Sequence, residues 1–299
     1  MAIGPIIPYL WFEKGCREAA RFYIDAFPDS RITHEGHVAS AAVGIACDMV
    51  EFELGGQPFA ALDGGPMFTP KPSVSFIVNF DPAAGRTADD LDALWAKLTE
   101  EGEVRMPLDK YPFAERFGWV ADKYGFDWQL MLTDPDGDPR PFVVPAMMFS
   151  DDREGLADEA IEHYVAAFSG KRGITVPWAE GEGKGLMFAD YQIGGTWLAA
   201  TDDPYEHNVD FQQAISWLVE CDTQEEMDAL SDALSAEPDA ERCGWVNDRY
   251  RMPWQVTPRR LQEMLRAGTP EQIAAVVEAF HPMKRLDLAT LEAAFQEAA

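Results

Sequence analysis

The chain has 299 residues, room for about two domains at ~150 residues each, and its 47% apolar and 12% aromatic content suffices for real cores. Fifty-two acidic against 24 basic side chains give a net charge of −28, a field that suits solubility and repels phosphate backbones and anionic lipid. Nucleic-acid and membrane partners are therefore not expected.

No stretch approaches ~18 uninterrupted apolar residues. The opening MAIGPIIPYLWFEKG lacks a basic region and is broken by Gly4, Pro5 and Pro8, unlike a signal peptide. Cys16, Cys47, Cys221 and Cys243 form no C-x-x-C pair. A cytoplasmic protein with free thiols is expected.

In chain order, the first element is an apolar strand, IIPYLWF (residues 6–12). A helix follows, with Ala19, Phe22, Tyr23, Ala26 and Phe27 at i, i+3, i+4, i+7 and i+8 forming one face. VEFELGGQPFAALD reads as a hairpin turning at Gly55-Gly56, because a glycine pair tolerates positive φ. After Pro72 the pattern restarts with strand SVSFIVNF, helix ADDLDALWAKLTEEG, and strands through GWVADK and DWQLML. TDPDGDPRP (residues 133–141), dense in Pro, Asp and Gly, reads as a linker.

Beyond it the order repeats. Strand FVVPAMMF (142–149) precedes a helix with Ala160, His163, Tyr164, Ala167 and Phe168 at the same spacing, then a hairpin turning at Gly194-Gly195. GGQPFAALD matches GGTWLAATD 139 residues on, and VSFIVNFD matches ISWLVECD 141 on. GWVADKYGFDWQ (118–129) matches GWVNDRYRMPWQ (244–255) at seven of twelve positions. Each half thus reads as two β-α-β-β-β units. From residue 258 the pattern is helical, with Thr269-Pro270 as a cap and first-turn pair and Asp287 as a second cap. The expected division is 1–134, a linker at 135–141, 142–258, and a helical extension at 259–299.

The succession PYLWFEKGCREAARFYIDAFPDSRI, EFELGGQPFAALDGGP, SVSFIVNF and GWVADKYGFDWQ resembles the PhnB-like branch of the glyoxalase/bleomycin-resistance/dioxygenase (vicinal oxygen chelate) superfamily, in two tandem copies. The tail AAVVEAFHPMKRLDLATLEAAF resembles the helical ending of such chains. The resemblance implies an α+β fold: tandem glyoxalase-like domains, each two paired βαβββ units forming a cupped mixed sheet, plus the C-terminal helices. It also implies an intrachain pseudo-dimer, with homodimerisation left open.

Catalytic members of that superfamily hold a divalent metal in the cup on His and Glu from the first, fourth, fifth and last strands. Carried over, those positions here hold Pro8 or Tyr9 and Pro145, Ala61 and Leu62 or Ala200 and Thr201, Ser73 and Ala214, and Gln129 and Gln255. A neutral amide is a weak ligand and Pro or Ala offers none, so the resemblance implies a lost metal site, and no cofactor is expected. The fallback donors are His34, His37 and Glu51, although loop and strand histidines are mostly solvated. His163 stands where the first half has Phe22, which favours packing. Glu51 and Asp190 are repeated acids whose alternation with Phe52 and Tyr191 equally suits a solvent face.

A demethylubiquinone methyltransferase label sometimes travels with this family. An S-adenosylmethionine site would call for a Gly-rich strand-to-helix turn, whereas GEGKG (181–185) precedes a strand, and neither a G-x-S-x-G elbow nor a P-loop is present. The ligand-contact candidates are Tyr9, Trp11, Trp128, Gln129, Trp254 and Gln255, with aromatics for apolar contact and amides for hydrogen bonds. Successive strand residues face opposite ways, so Trp128 and Gln129 cannot both line a pocket. The leading reading is a small-molecule binder without the metal. Its alternative is a metal-dependent lyase or dioxygenase-like enzyme on a non-standard ligand set. A third reading makes one half a scaffold, flagged by the divergent YRMP (250–253).

Overall fold

The structure, a computed structural model, describes residues 3–299 apart from 206 and 208. Unit 1 comprises β1 (Ile7–Phe12), α1 (Cys16–Ala26), β2 (Arg31–Ser40), β3 (Ile45–Leu54) and β4 (Gln57–Asp63). Unit 2 comprises β5 (Val74–Phe80), α2 (Ala88–Thr99), β6 (Glu103–Tyr111), β7 (Ala114–Ala121) and β8 (Asp127–Leu132). Unit 3 repeats unit 1 as β9 (Val143–Phe149), α3 (Ala157–Phe168), β10 (Lys171–Pro177), β11 (Leu186–Ile193) and β12 (Thr196–Asp202). Unit 4 is shorter: β13 (Ile215–Cys221), α4 (Gln224–Leu234), β14 (Trp245–Asn247) and β15 (Pro253–Pro258).

The fourth unit therefore departs from the expected β-α-β-β-β by one strand among the described residues. SAEPDAER, with Pro238 set among charges, is a poor strand former. The C-terminal extension docks there instead, Cys243 N and Gly244 N donating to Met283 O and Lys284 O at 2.8 and 2.9 Å.

Both hairpins turn where the glycine pairs predict. Gly55 and Gly56 have φ of 53° and 91°, and Gly194 and Gly195 of 54° and 78°, which registers Leu54 opposite Gln57 and Ile193 opposite Thr196. The aspartates that end β4 and β12 reach back to the starting turns of the helices: Asp63 Oδ1 accepts from Cys16 N at 2.7 Å, and Asp202 Oδ1 from Ala157 N at 3.1 Å.

The strands form two sheets, ordered β14-β15-β13-β1-β4-β3-β2 and β10-β11-β12-β9-β5-β8-β7-β6. Each sheet crosses the linker. In the first, β1 runs antiparallel to β13 with Tyr9 opposite Ser216; in the second, β5 runs antiparallel to β9 with Ser75 opposite Ala146. Units 1 and 4 thus build a first cup, and units 2 and 3 a second. Each half of the chain gives one unit to each cup, the arrangement of a pseudo-dimer within one chain.

What joins two units of one half is the repeated twelve-residue segment. Asp122 Oδ1 accepts from Tyr124 N and Phe126 N at 2.8 and 3.1 Å, while Oδ2 accepts from Trp128 Nε1 and the Tyr23 hydroxyl at 2.8 and 2.7 Å. Asp248 repeats the set with Tyr250 N, Met252 N, Trp254 Nε1 and the Tyr164 hydroxyl. Both carboxylates and both tryptophans are buried, so every lone pair is met inside the core. Phe27, Phe76 and Tyr23 pack on Trp128, and Phe168 and Tyr164 on Trp254. The segment is a staple between units.

The extension folds as α5 (Arg259–Ala267), α6 (Pro270–Phe280) and α7 (Leu288–Glu297). Thr269 and Gln272 form a capping box and Asp287 caps α7, as the sequence indicates. Helix α6 lies along β2, the edge of the first sheet, where the Ser40 hydroxyl donates to Glu278 Oε1 at 2.7 Å. Helix α5 stands over the rim of the first cup.

Candidate functional site: two unequal cups

Alternation decides which side chains face the cups. On β1, Leu10 and Phe12 enter the core, and Tyr9, with Ala60 and Leu218, forms a separate apolar floor that Ile7, Met49 and Leu62 extend. The equivalent floor in the second cup is Ile77, Val144, Ala146 and Ala199, with Phe188 and Trp197 beside them.

The first cup encloses a cavity of about 400 Å³. Besides its floor it is lined by His34, Glu51, Glu53, Glu220, Gln262 and Arg266. Glu51 holds Arg266 of α5 through both carboxylate oxygens, Nε lying 3.0 Å from each. Glu220 accepts from Arg259 at 2.7 Å and has Arg266 at 4.0 Å. Burial pushes the Glu220 carboxyl up from its ordinary value against the pull of the two arginines. Burial, with the thiol of Cys47 and the carboxylate of Glu51 nearby, likewise holds the Tyr9 hydroxyl far above the usual phenol range.

The second cup is tighter, about 180 Å³. There Asp190, the counterpart of Glu51, holds Arg140 from the linker, with Nε to Oδ2 at 2.7 Å and the guanidinium 4.1 Å above the Trp197 ring. Asp190 also accepts from Ile174 N at 2.7 Å. The repeated acids thus face the cups, and each carries an arginine from outside the repeated strands.

Of the candidates named from sequence, Tyr9 lines the first cup. Trp11 shares its face at the end of β1, with the indole N–H donating to Gly65 O at 2.8 Å and the ring edge-on to Phe68. Trp128 and Trp254 are core residues on the far side of the sheets. Gln129 and Gln255 face the opposite way, each donating to a neighbouring serine, Ser75 or Ser216, at 2.9 Å. They lie at pseudo-equivalent positions on the cup-facing side of β8 and β15, outside the residues that line the two cavities.

The fallback metal donors do not converge. His34 and Glu51 are register partners in the first cup, whereas His37 turns away to Asp48, 2.7 Å from Nδ1. No group of three or more His, Cys, Asp or Glu able to hold a metal occurs among the described residues. Of the positions carried over for the metal, Tyr9, Gln129 and Gln255 face the cups, and the residues beside them on the same faces are Ala60 and Ser216 in the first cup and Ala146, Ala199 and Ser75 in the second. Phenol, hydroxyl and amide are poor donors for a divalent cation, so this set does not fit the metal.

Arg140, Glu220 and Arg266 were not legible from the repeat. Both arginines lie outside the duplicated strands. Glu220 had one signal, a carboxylate within the otherwise apolar ISWLVEC where the first half has Asn79.

A family model described as 3-demethylubiquinone-9 3-methyltransferase matches residues 5–131 and again 141–257. The chain belongs to this PhnB-like family, in two tandem copies, within the glyoxalase/bleomycin-resistance superfamily. It is similar to a PhnB protein from Bacillus cereus, with 34% identity and a TM-score of 0.38 over 43% of this chain and 98% of that one. Glyoxalase I from Zea mays is 12% identical with a TM-score of 0.51 over 77% of this chain and 79% of that one, a likeness of fold. None of the curated proteins matches. As a PhnB-like tandem, the chain keeps the cupped α+β architecture and adds three helices, and no helix among the described residues is long and apolar enough to cross a membrane.

Proposed function

We propose that the protein is a small-molecule-binding member of the superfamily whose first cup is the working pocket and whose usual metal site is lost. The observation that carries this reading is the contrast between a cavity of about 400 Å³ over Tyr9, Ala60 and Leu218 and one of about 180 Å³ crossed by Arg140. The first is within the range of small-molecule pockets, apolar below and polar at the rim. The donor set argues against metal-dependent lyase or dioxygenase chemistry, because the fallback trio His34, His37 and Glu51 is split between two faces of β2 and an arginine pair.

The methyltransferase description of the family is not carried over. The segment 181–185 connects β10 to β11, ahead of a strand, and β1 reaches α1 through Glu13, Lys14 and Gly15, a turn without the glycine-rich backbone that cradles a nucleotide-like cofactor. A cytoplasmic binder is the resulting reading.

Indole, a small uncharged aromatic, is a direct probe. Isothermal titration is expected to show binding with a Kd on the order of 0.1–1 mM, the range open to so few heavy atoms. Leu218→Trp, which fills the floor, is expected to abolish it while the fold is retained by circular dichroism. Binding unaffected by Leu218→Trp would place the ligand elsewhere.

A further inference from the structure

The two cups hold the same interaction in two states of closure. In both, the repeated acid on the third strand of the unit, Glu51 or Asp190, receives a guanidinium. In the second cup that guanidinium is locked. Arg140 is 16% exposed and Asp190 5%, Trp197 covers the cation, and Pro139 O takes a further N–H at 3.1 Å. In the first cup Pro58 stands where the second has Trp197, leaving the place of the aromatic wall open to the cavity. Arg266 is accordingly 39% exposed and meets Glu51 from the rim, with Glu220 just out of hydrogen-bond range at 4.0 Å.

The lining is also unbalanced. Glu51, Glu53 and Glu220 line the cavity with one arginine, Arg266; Glu53 is held from outside it by Arg31 and Glu220 by Arg259, each at 2.7 Å, so Glu51 is the carboxylate that depends on Arg266, a side chain anchored outside the sheet. Tyr9 is 5% exposed as a residue, and its hydroxyl, at the cavity wall, forms no hydrogen bond among the described residues. An unpartnered hydroxyl at the cavity wall near the Glu51 carboxylate is a polar group left for an incoming donor. Removing Arg266 would not unseat α5, because Arg259 ties its first turn to Glu220 and Asp222 and Leu261 and Met264 are buried in the tail's own core.

We propose that the first cup binds a small molecule with an amine or guanidinium head and an apolar body. The head replaces the Arg266 guanidinium on Glu51 and reaches Glu220 and the Tyr9 hydroxyl, and the body lies on Ala60 and Leu218. Arg266 is then an internal stand-in, which the ligand displaces, while Arg140 keeps the second cup filled. This rests on the first cup being the pocket, as proposed above.

The test uses the full chain and three probes of one shape: benzylguanidinium, its uncharged isostere benzylurea, and phenylpropanoate as the anionic counterpart. Benzylguanidinium is expected to bind at least tenfold more tightly than benzylurea, with no binding of phenylpropanoate. Arg266→Ala is expected to tighten benzylguanidinium about tenfold by removing the competitor, and Glu51→Gln to weaken it about tenfold or more, a step worth ~1.4 kcal/mol. Unfolding midpoints of both variants control for folding. Equal binding of the charged and uncharged probes, or an Arg266→Ala affinity equal to that of the natural chain, would overturn the proposal. Tighter binding of phenylpropanoate would overturn it too, making Arg266 an anion receptor. If indole still binds the first cup while these charge effects are missing, the pocket reading survives and the cation reading falls. If indole fails as well, both fall.

Discussion

The Tyr23 hydroxyl donates to Asp122 Oδ2 at 2.7 Å across the boundary between two units, and Tyr164 and Asp248 repeat the bond at 2.6 Å in the other half. This explains why the chain writes one twelve-residue segment twice. Four donors converge on each buried carboxylate, and an amide in its place would turn an NH₂ toward at least one of them. Asp122→Asn is expected to cost about 2–4 kcal/mol in denaturant unfolding, the penalty for leaving buried donors unmet. A loss below ~0.5 kcal/mol would contradict the staple.

The matching carboxylate of the second half, Asp248, sets a pH dependence. Burial raises the Asp248 carboxyl from 3.8 to about 6, against the hydrogen bonds from Tyr164, Trp254 and the two backbone amides. The native state therefore binds this proton more tightly than the unfolded chain. The associated stability is complete below about pH 4 and is lost as pH rises through about 6. Compared with Asp248→Asn, the natural protein should have its largest advantage near pH 4, shrinking by up to ~3 kcal/mol toward pH 7. Paired unfolding curves across that window check it, and an advantage that grows with pH would reverse the sign.

Removing the two cup arginines should have unequal consequences. Arg140→Ala leaves Asp190, 5% exposed, with one backbone donor in a tight cup, and is expected to destabilise by about 3 kcal/mol. Arg266→Ala breaks a rim pair open to solvent and is expected to cost less than about 1 kcal/mol. Equal losses in urea unfolding would mean that the two cups are equally closed.

Metal should be dispensable. With Tyr9, Ser216 and Gln255 on the cup-facing side of the first sheet, and His37 engaged by Asp48, treatment with a chelator is expected to leave the unfolding temperature unchanged. Elemental analysis of untagged protein should find less than a stoichiometric transition metal. A full equivalent, with a fall in unfolding temperature on chelation, would reinstate Glu51 and His34 as ligands.

Much of the fold was legible because it is written in local rules: glycine pairs at 55–56 and 194–195, helical faces such as Ala19–Phe22–Tyr23–Ala26, and caps at Thr269 and Asp287. The cross-linker pairing of units was not. Both β13 and β5 are buried along their whole length and could face either partner, and strand identity carries no information about which sheet edge is met. The facing of Trp128 and Gln129 follows from alternation once one of them is placed, and Asp122 places Trp128. The arginines of the cups stayed hidden because they come from the linker and the tail, where no repeat compares them.

The central claim, that one cup works and the other is filled, is tested most directly by the stoichiometry of benzylguanidinium on the intact chain, counted by native mass spectrometry with Leu218→Trp as the blocked control. The account predicts one molecule per chain, lost in Leu218→Trp. Two molecules per chain, or one that persists in Leu218→Trp, would contradict it.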